Sequence, residues 1–346
     1  MFEFKFNKEV NNQRENRTKD IVKRLGVITA RRVYLKKYPI ENPITIFNPA
    51  MLIKEDTLIL FGRIILGYFT YASAVAEFKV PMGDIYNDVE SERYIAEIKV
   101  LPDNKFDFWG VEDPRVYEID GKTLMTYCGR TVNYFNPSIR VERTLPVTAI
   151  EEEGKWRKIF VFRLQEQFRG FLVSDKDAFL AKIGKKIKLF HRPHMKDERF
   201  YLVTSDVPQD LLGYKKFSEI NVNNTNVVLE PSKFEEKIGW GTPPIEIGKE
   251  YLFILHGVCA ETKCYRIFAL LMNRETEVTA ITPYYIMEPK ENYEIYGDRP
   301  YAIFPCGAQL LGDKLLISYG AADSAIGIGE IKLDELMSIL DSNRVE

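Results

Sequence analysis

Five times along the chain, a turn carrying Gly, Asp or Lys leads into a short apolar run that ends in a small, basic or imidazole-bearing residue. The segments are KEDTLILFGR (54–63), DGKTLMTYCGR (120–130), GKKIKLFHRP (184–193), GKEYLFILHG (248–257) and GDKLLISYGA (312–321). With Phe61, Tyr127, Phe190, Leu255 and Tyr319 taken as equivalent, successive copies lie 66, 63, 65 and 64 residues apart. A near-constant period of that size marks a repeat architecture. Ahead of each copy stands the start of another strand, in FNPAML, EDPRVY, DKDAFL, TPPIEI and FPCGAQLL. Each repeat therefore holds a hairpin, with room for two outer strands and their loops. Such a unit repeated five times predicts an all-β fold, a five-bladed β-propeller, inside the usual range of ~4–8 blades.

Two segments have helical spacing instead: RTKDIVKRLG (17–26) and KLDELMSILD (332–341). They predict short helices that flank the propeller. The expected organisation is an N-terminal extension with a short helix over 1–44, a catalytic propeller over 45–330 and a C-terminal helix over 331–346.

In an antiparallel hairpin, the start of the first strand and the end of the second share one end of the ribbon. Five such ends around an axis make a funnel. Asn48, Asp113, Asp177, Thr242 and Pro305 fall at the starts; Arg63, Arg130, His191, Arg192, His256 and Tyr319 fall at the ends, with Asp323 close behind. Cations ringed around carboxylates suit an anion or a polyhydroxylated substrate. Taken singly, each arginine also fits a salt bridge between blades.

Asp113 lies in Gly110-Val111-Glu112-Asp113-Pro114-Arg115, just after Trp109. Beside aromatic surface a carboxylic acid keeps its proton near neutral pH, as a general acid must. A turn cap before Pro114 is the other reading of the same residue. Glu112 has the opposite strand parity and is expected to face the blade interior, and Arg115 to tie a neighbouring blade. The Gly- and Pro-rich stretch 239–244 predicts a loop that brings the Trp240 indole against a sugar ring, with Lys237 in reach of the funnel.

A net charge of −2 excludes a global basic field for nucleic acid. The start MFEFKFNKEVNNQ lacks the pattern of a secretion signal, and the apolar stretch 64–76 is too short and interrupted to span a bilayer, so a cytoplasmic protein with no membrane partner is expected. Cys128, Cys259, Cys264 and Cys306 have no metal-site spacing and are too few for a disulfide framework. They are expected to be reduced, and no metal is expected.

In order along the chain, FNPAM with Arg63 after it, GVEDPRV, FHRP (190–193), KIGWGTPPIE (237–246), LHGV (255–258), FPCG (304–307) and YGAAD (319–323) resemble glycoside hydrolase family 130, the β-mannoside phosphorylases and related mannosidases. The resemblance implies a five-bladed propeller and an inverting reaction. Asp113 would protonate the leaving oxygen through a sugar hydroxyl, while inorganic phosphate, the co-substrate in place of any cofactor, attacks the anomeric carbon to release mannose 1-phosphate. It assigns Arg192, His256 and Lys237 to phosphate and Asn48, Arg63 and Asp323 to the sugar; Arg130 joins the sugar ligands from the repeat alone. The expected partners are an oligosaccharide and phosphate, and a homo-oligomer fits as well as a monomer.

One departure weighs against phosphate: Asp175, in Leu172-Val173-Ser174-Asp175-Lys176-Asp177, would repel it. That keeps open a β-mannoside hydrolase that uses water at the same site. A non-catalytic carbohydrate-binding propeller is the reading from another class, and it leaves the Asp113 motif unexplained.

Overall fold

Among the described residues, alternating apolar positions give 24 strands, and pairing sorts them into five mainly antiparallel sheets, three of them with a parallel outer strand. The computed structural model describes residues 3–4, 10, 13–67 and 71–345. Blade 1 runs Thr45–Lys54, Thr57–Gly67, Ala72–Pro81 and Tyr94–Val100; blade 2 runs Val111–Ile119, Lys122–Arg130, Thr144–Glu152 and Lys155–Arg163. Blade 3 comprises Leu172–Ile183, Lys186–Met195, Leu202–Asp206 and Asn223–Leu229. In blade 4 the first strand is split into Glu235–Trp240 and Ile245–Ile247, followed by Glu250–Cys259, Tyr265–Met272 and Val278–Ile281. Blade 5 has Ile303–Leu311, Lys314–Ala321 and Ala325–Lys332. The first strand of each blade lies innermost and meets its neighbours around the axis.

The fourth strand of blade 5 comes from the other end of the chain. Lys23–Thr29 pairs antiparallel with Ala325–Lys332 and closes the ring. The helix expected over 17–26 is therefore absent. Residues 15–21 run outside any helix, with the amides of Glu15, Lys19 and Ile21 bonded to the carbonyls of Pro283, Tyr285 and Ile286, before the strand begins. The final blade leaves a row of unpaired backbone groups, and pairing them outweighs the weak helical propensity of a segment holding Val22 and Gly26. The C-terminal helix is present as Leu333–Asp341. Among the described residues, no helix is long and apolar enough to cross a membrane.

The site depends on a defect repeated in three blades. Against the second strand, the first strand slips register between Phe47 and Ala50, Glu112 and Arg115, and Lys176 and Phe179. The bulged residues Asn48, Asp113 and Asp177 take left-handed φ of 48°, 50° and 52°. Asn and Asp tolerate that region better than most residues, and the bulge re-aims a side chain out of the pleat. Gly320 makes room for the first of them: a Cβ there would lie 1.7 Å from Asn48 Oδ1.

The same pairing revises the repeat alignment. Opposite the bulges stand Gly62, Tyr127 and His191, and Tyr319 pairs at the matching place in blade 5, so Phe61 and Phe190 lie one residue early. The residues facing Phe47, Glu112 and Lys176 are Arg63, Cys128 and Arg192. In blade 2 the counterpart of Arg63 is thus Cys128, with Arg130 two residues beyond it.

Between blades 3 and 4 the core is aromatic. Phe190 stacks on Phe179 and Phe253, and meets Trp240 edge-on at 5.1 Å. Trp240 is fully buried and donates its indole N–H toward the carbonyls of His191 and Val203. The expectation of a loop presenting this indole to a sugar is corrected: residues 235–240 are a strand, and the ring anchors two blades.

Candidate active site

A cavity of about 450 Å³ opens at the end of the axis where the bulges point. Asn48, Arg63, Asp113, Arg192, Lys237 and Asp323, all named from the sequence, line it together. Tyr71, Tyr134, Lys176, Asp177, Asp298 and Arg299 join them.

One half is built around Asp113. Its Oδ1 accepts from Asn48 Nδ2 at 2.8 Å and from Arg63 at 3.0 Å, leaving Oδ2 free of these bonds. This is a polar cradle rather than the aromatic surface expected from Trp109. Asp323, also at left-handed φ, is pushed up to about 6 by burial, with Asp113 and Asp298 adding to it against the pull of Arg63 and Arg299. Behind them Glu112 is fully buried, as its parity required, and accepts from Arg63 at 2.8 Å, Tyr134 at 2.8 Å, Lys176 at 3.2 Å and Arg130 at 3.3 Å. Burial opposes its charge, yet Arg63, Lys176 and Arg130 together hold it well below the usual carboxylate range. One buried carboxylate therefore fixes three pocket-lining side chains. Arg115 donates to the carbonyls of Asp113, Trp240 and Gly241, tying blade 2 to blade 4.

The other half is cationic. Arg192 donates Nε to Asp177, which burial would raise but Arg192 and neighbouring cationic groups hold low. Lys237 lies 4.9 Å from the Phe200 ring and 5.7 Å from Tyr265, and has no ion pair or hydrogen bond among the described residues. Burial, then Arg192 and Arg299, push it down to about 7. The Arg299 guanidinium lies 4.7 Å over the Tyr265 ring. Arg192, Lys237 and Arg299 share this half with Asp177, which is already committed to Arg192, while Asp323 lies within electrostatic reach of Arg299. Lys237 has no carboxylate partner of its own among the described residues, and cations gathered this way suit an anion.

Three expectations change here. Arg130 does not line the cavity: it is fully buried, donates to Glu112 and the Tyr71 carbonyl, and lies 3.8 Å over the Tyr134 ring. Its displacement follows from the blade 2 register. His256 is also fully buried and absent from the cavity wall, beneath Asp177 at 3.6 Å; neither ring nitrogen has a hydrogen-bond partner. Burial, with Arg192 and Arg115 nearby, pushes it down to about 3, so it is a neutral imidazole. Asp175 faces away from the cavity and bonds His191 Nδ1 at 2.7 Å, while His191 bonds Ser205 on its other side. The objection that Asp175 repels an anion in the site loses its geometric basis.

Sequence reasoning left Tyr71, Tyr134, Phe200, Asp298 and Arg299 unassigned, because they sit on loops outside the repeat register. The pair Lys176-Asp177 was legible, since Asp177 shares the repeat position of Asn48 and Asp113. The charged pair Asp298-Arg299 before Pro300 was the one local signal in its loop.

The family Glyco_hydro_130, described as beta-1,4-mannooligosaccharide phosphorylase, matches residues 12–342. The chain is similar to a beta-1,2-mannobiose phosphorylase of Thermoanaerobacter sp. (strain X514), at 27% identity over 87% of this chain and 97% of that protein. A beta-1,2-mannobiose phosphorylase of Listeria innocua is 25% identical, covering 83% of this chain and 75% of the relative. Among solved structures, a Listeria innocua beta-1,2-mannobiose phosphorylase in complex with beta-1,2-mannobiose superposes with a TM-score of 0.69 at 17% identity, over 93% of this chain and 97% of that one. A mannose phosphorylase from Leishmania mexicana in complex with phosphate gives 0.60 at 12% identity, over 88% and 89%. These two structural likenesses support the propeller fold.

Proposed function

The chain belongs to glycoside hydrolase family 130, and from that premise we propose that it is an inverting phosphorylase of β-linked mannosides that releases mannose 1-phosphate. The observation that carries this reading is the cationic wall of Arg192, Lys237 and Arg299, lying in one cavity with the Asp113 cradle. Phosphate offers Lys237 the anionic partner it lacks among the described residues. Arg192 and Arg299 offer guanidinium donors, Lys237 a point charge, and His256 lies beneath as a neutral ring.

The mannosyl unit occupies the half bounded by Asn48, Arg63 and Asp323. A phosphate oxygen attacks the anomeric carbon as the bond from that carbon to the leaving oxygen breaks, and a single displacement inverts the configuration. The proton for the leaving oxygen comes from Asp113 Oδ2, the oxygen not engaged by Asn48 and Arg63, and passes through a sugar hydroxyl. Phosphate is itself the nucleophile, so a second carboxylate acting as base is not required, unlike the usual inverting hydrolases.

The test is sugar release from a panel of β-1,2- and β-1,4-linked manno-disaccharides with and without inorganic phosphate. Release that depends on phosphate and yields mannose 1-phosphate supports the reading. Equal release without phosphate, giving free mannose, would replace it with a hydrolase.

A further inference from the structure

The half of the cavity that suits an anion also contains a carboxylate, which by charge alone weakens anion binding. Asp177 stands on the blade 3 bulge, at the left-handed φ of 52°, and lines the cavity with Arg192 and Lys237. Its two oxygens differ. Oδ2 accepts from Arg192 Nε and lies 3.6 Å from His256 Nε2; the backbone of Gly239 packs so closely on that oxygen that a Cβ there would come within 2.3 Å of it. Oδ1 has no hydrogen-bond partner among the described residues, and Arg115 Nη2 stands off from it at 3.8 Å.

Holding Arg192 in place does not by itself call for a carboxylate at the ligand surface. The fold fixes the equally buried Arg115 through three carbonyls, those of Asp113, Trp240 and Gly241. Burial opposes the charge of Asp177, yet Arg192 and Arg115 keep the group ionised. An ionised carboxylate accepts hydrogen bonds and offers none. A fully deprotonated oxyanion also only accepts, so the two repel. An oxyanion that keeps a proton can donate it to the open oxygen instead. Near neutral pH phosphate and arsenate carry such a proton, and sulfate and selenate carry none. Cations that attract any anion, set beside a carboxylate that repels the unprotonated ones, combine attraction with exclusion on one wall.

We propose that Asp177 Oδ1 accepts the hydroxyl of the bound phosphate, which makes the nucleophile site selective for protonated oxyanions, phosphate and arsenate, against sulfate and selenate. The inference rests on the phosphorylase reading and goes beyond it to the protonation state of the anion. One of the unprotonated phosphate oxygens then attacks, and the proton stays on the phosphoryl group as the bond to the anomeric carbon forms.

The experiment measures competitive inhibition of mannose 1-phosphate formation by arsenate, sulfate and selenate at pH 7.5 and constant ionic strength, for the native protein and for Asp177→Asn. Phosphate with sulfate, and arsenate with selenate, form pairs alike in shape that differ in the proton. In the native enzyme the inhibition constant of arsenate should lie near the KM for phosphate. Those of sulfate and selenate should lie ~10–100-fold above it, the worth of one hydrogen bond to a charged group. Asp177→Asn keeps an acceptor for Arg192 and removes the charge, so it should close most of that gap, raising the KM for phosphate while lowering the constants for sulfate and selenate. Sulfate and selenate that inhibit the native enzyme as well as arsenate does, or a variant that weakens all four anions by one factor, would overturn the assignment and leave the phosphorylase reading standing. The comparison in the native enzyme decides alone if the variant does not fold. Mannoside cleavage that is independent of phosphate would remove both readings.

Discussion

Lys237→Met is the most informative single change. The free enzyme holds this amine near 7 rather than 10.5 because burial, Arg192 and Arg299 all disfavour its charge. At about 1.36 kcal/mol per tenfold change, that displacement is worth of the order of 4–5 kcal/mol; solvent at the cavity mouth screens it, and about 2 kcal/mol is a realistic share. Below pH 7 the folded protein carries the full cost of the charged form. The cost fades as pH rises from 7 toward the unfolded value near 10.5, where both states lose the proton. Lys237→Met should therefore raise the melting temperature at pH 6 without phosphate, and do so less at pH 9. Its effect on the reaction is opposite in sign. A charge-assisted bond to phosphate is worth ~1.5–3 kcal/mol, so the KM for phosphate should rise ~10–100-fold at pH 6.5. Above pH 7 the native amine must take up a proton to bind the anion, and the ratio of variant to native KM should shrink. Initial rates against phosphate at several pH values, with thermal melts of both proteins, test the argument. A ratio near one, or one that does not change between pH 6 and 9, would refute the assignment of Lys237 to the anion.

Asp113→Asn keeps the shape but cannot donate an acidic proton, so turnover of natural disaccharides should fall by the ~10²–10⁴-fold typical of general acid catalysis. The loss should be much smaller on an activated aryl mannoside, and equal losses on both substrates would point to binding or folding instead. Arg192→Ala should raise the KM for phosphate and also lower the melting temperature, because Asp177 loses its main partner while buried; breaking such a pair costs ~3–5 kcal/mol. An unchanged phosphate dependence would remove Arg192 from the site. Asp323→Asn should stabilise the protein above pH 6. The native carboxyl, raised from 3.8 to about 6, makes stability fall as pH rises across that interval, and the amide has no such dependence. The same variant should raise the KM for the mannoside, and melts at pH 4 and pH 7 that shift alike would contradict the first half of the prediction.

The sequence by itself determined the propeller. The repeat near 64 residues and the alternation of apolar positions depend only on local hairpins, and each copy repeats the same chemistry in the same order. It also put Asn48, Arg63, Asp113 and Arg192 at one end of the ribbons, with Asp323 close behind, because strand direction decides which ends meet; Lys237 came from the motif of residues 237–246. The tertiary structure decided what that reasoning could not reach. In blade 2 Cys128 takes the place that Arg63 and Arg192 hold in blades 1 and 3, and Arg130, two residues further on, goes behind Glu112; only the pairing of both strands shows where each bulge falls. Residues 23–29 close the ring as a strand, because the edge they satisfy is built by residues 325–332 at the other end of the chain. Trp240 and His256 are buried by packing between blades, although their motifs alone read as a surface platform and an anion ligand. Tyr134, Phe200 and Arg299 enter the cavity from loops with no periodicity, and their convergence is a property of the closed ring rather than of any segment.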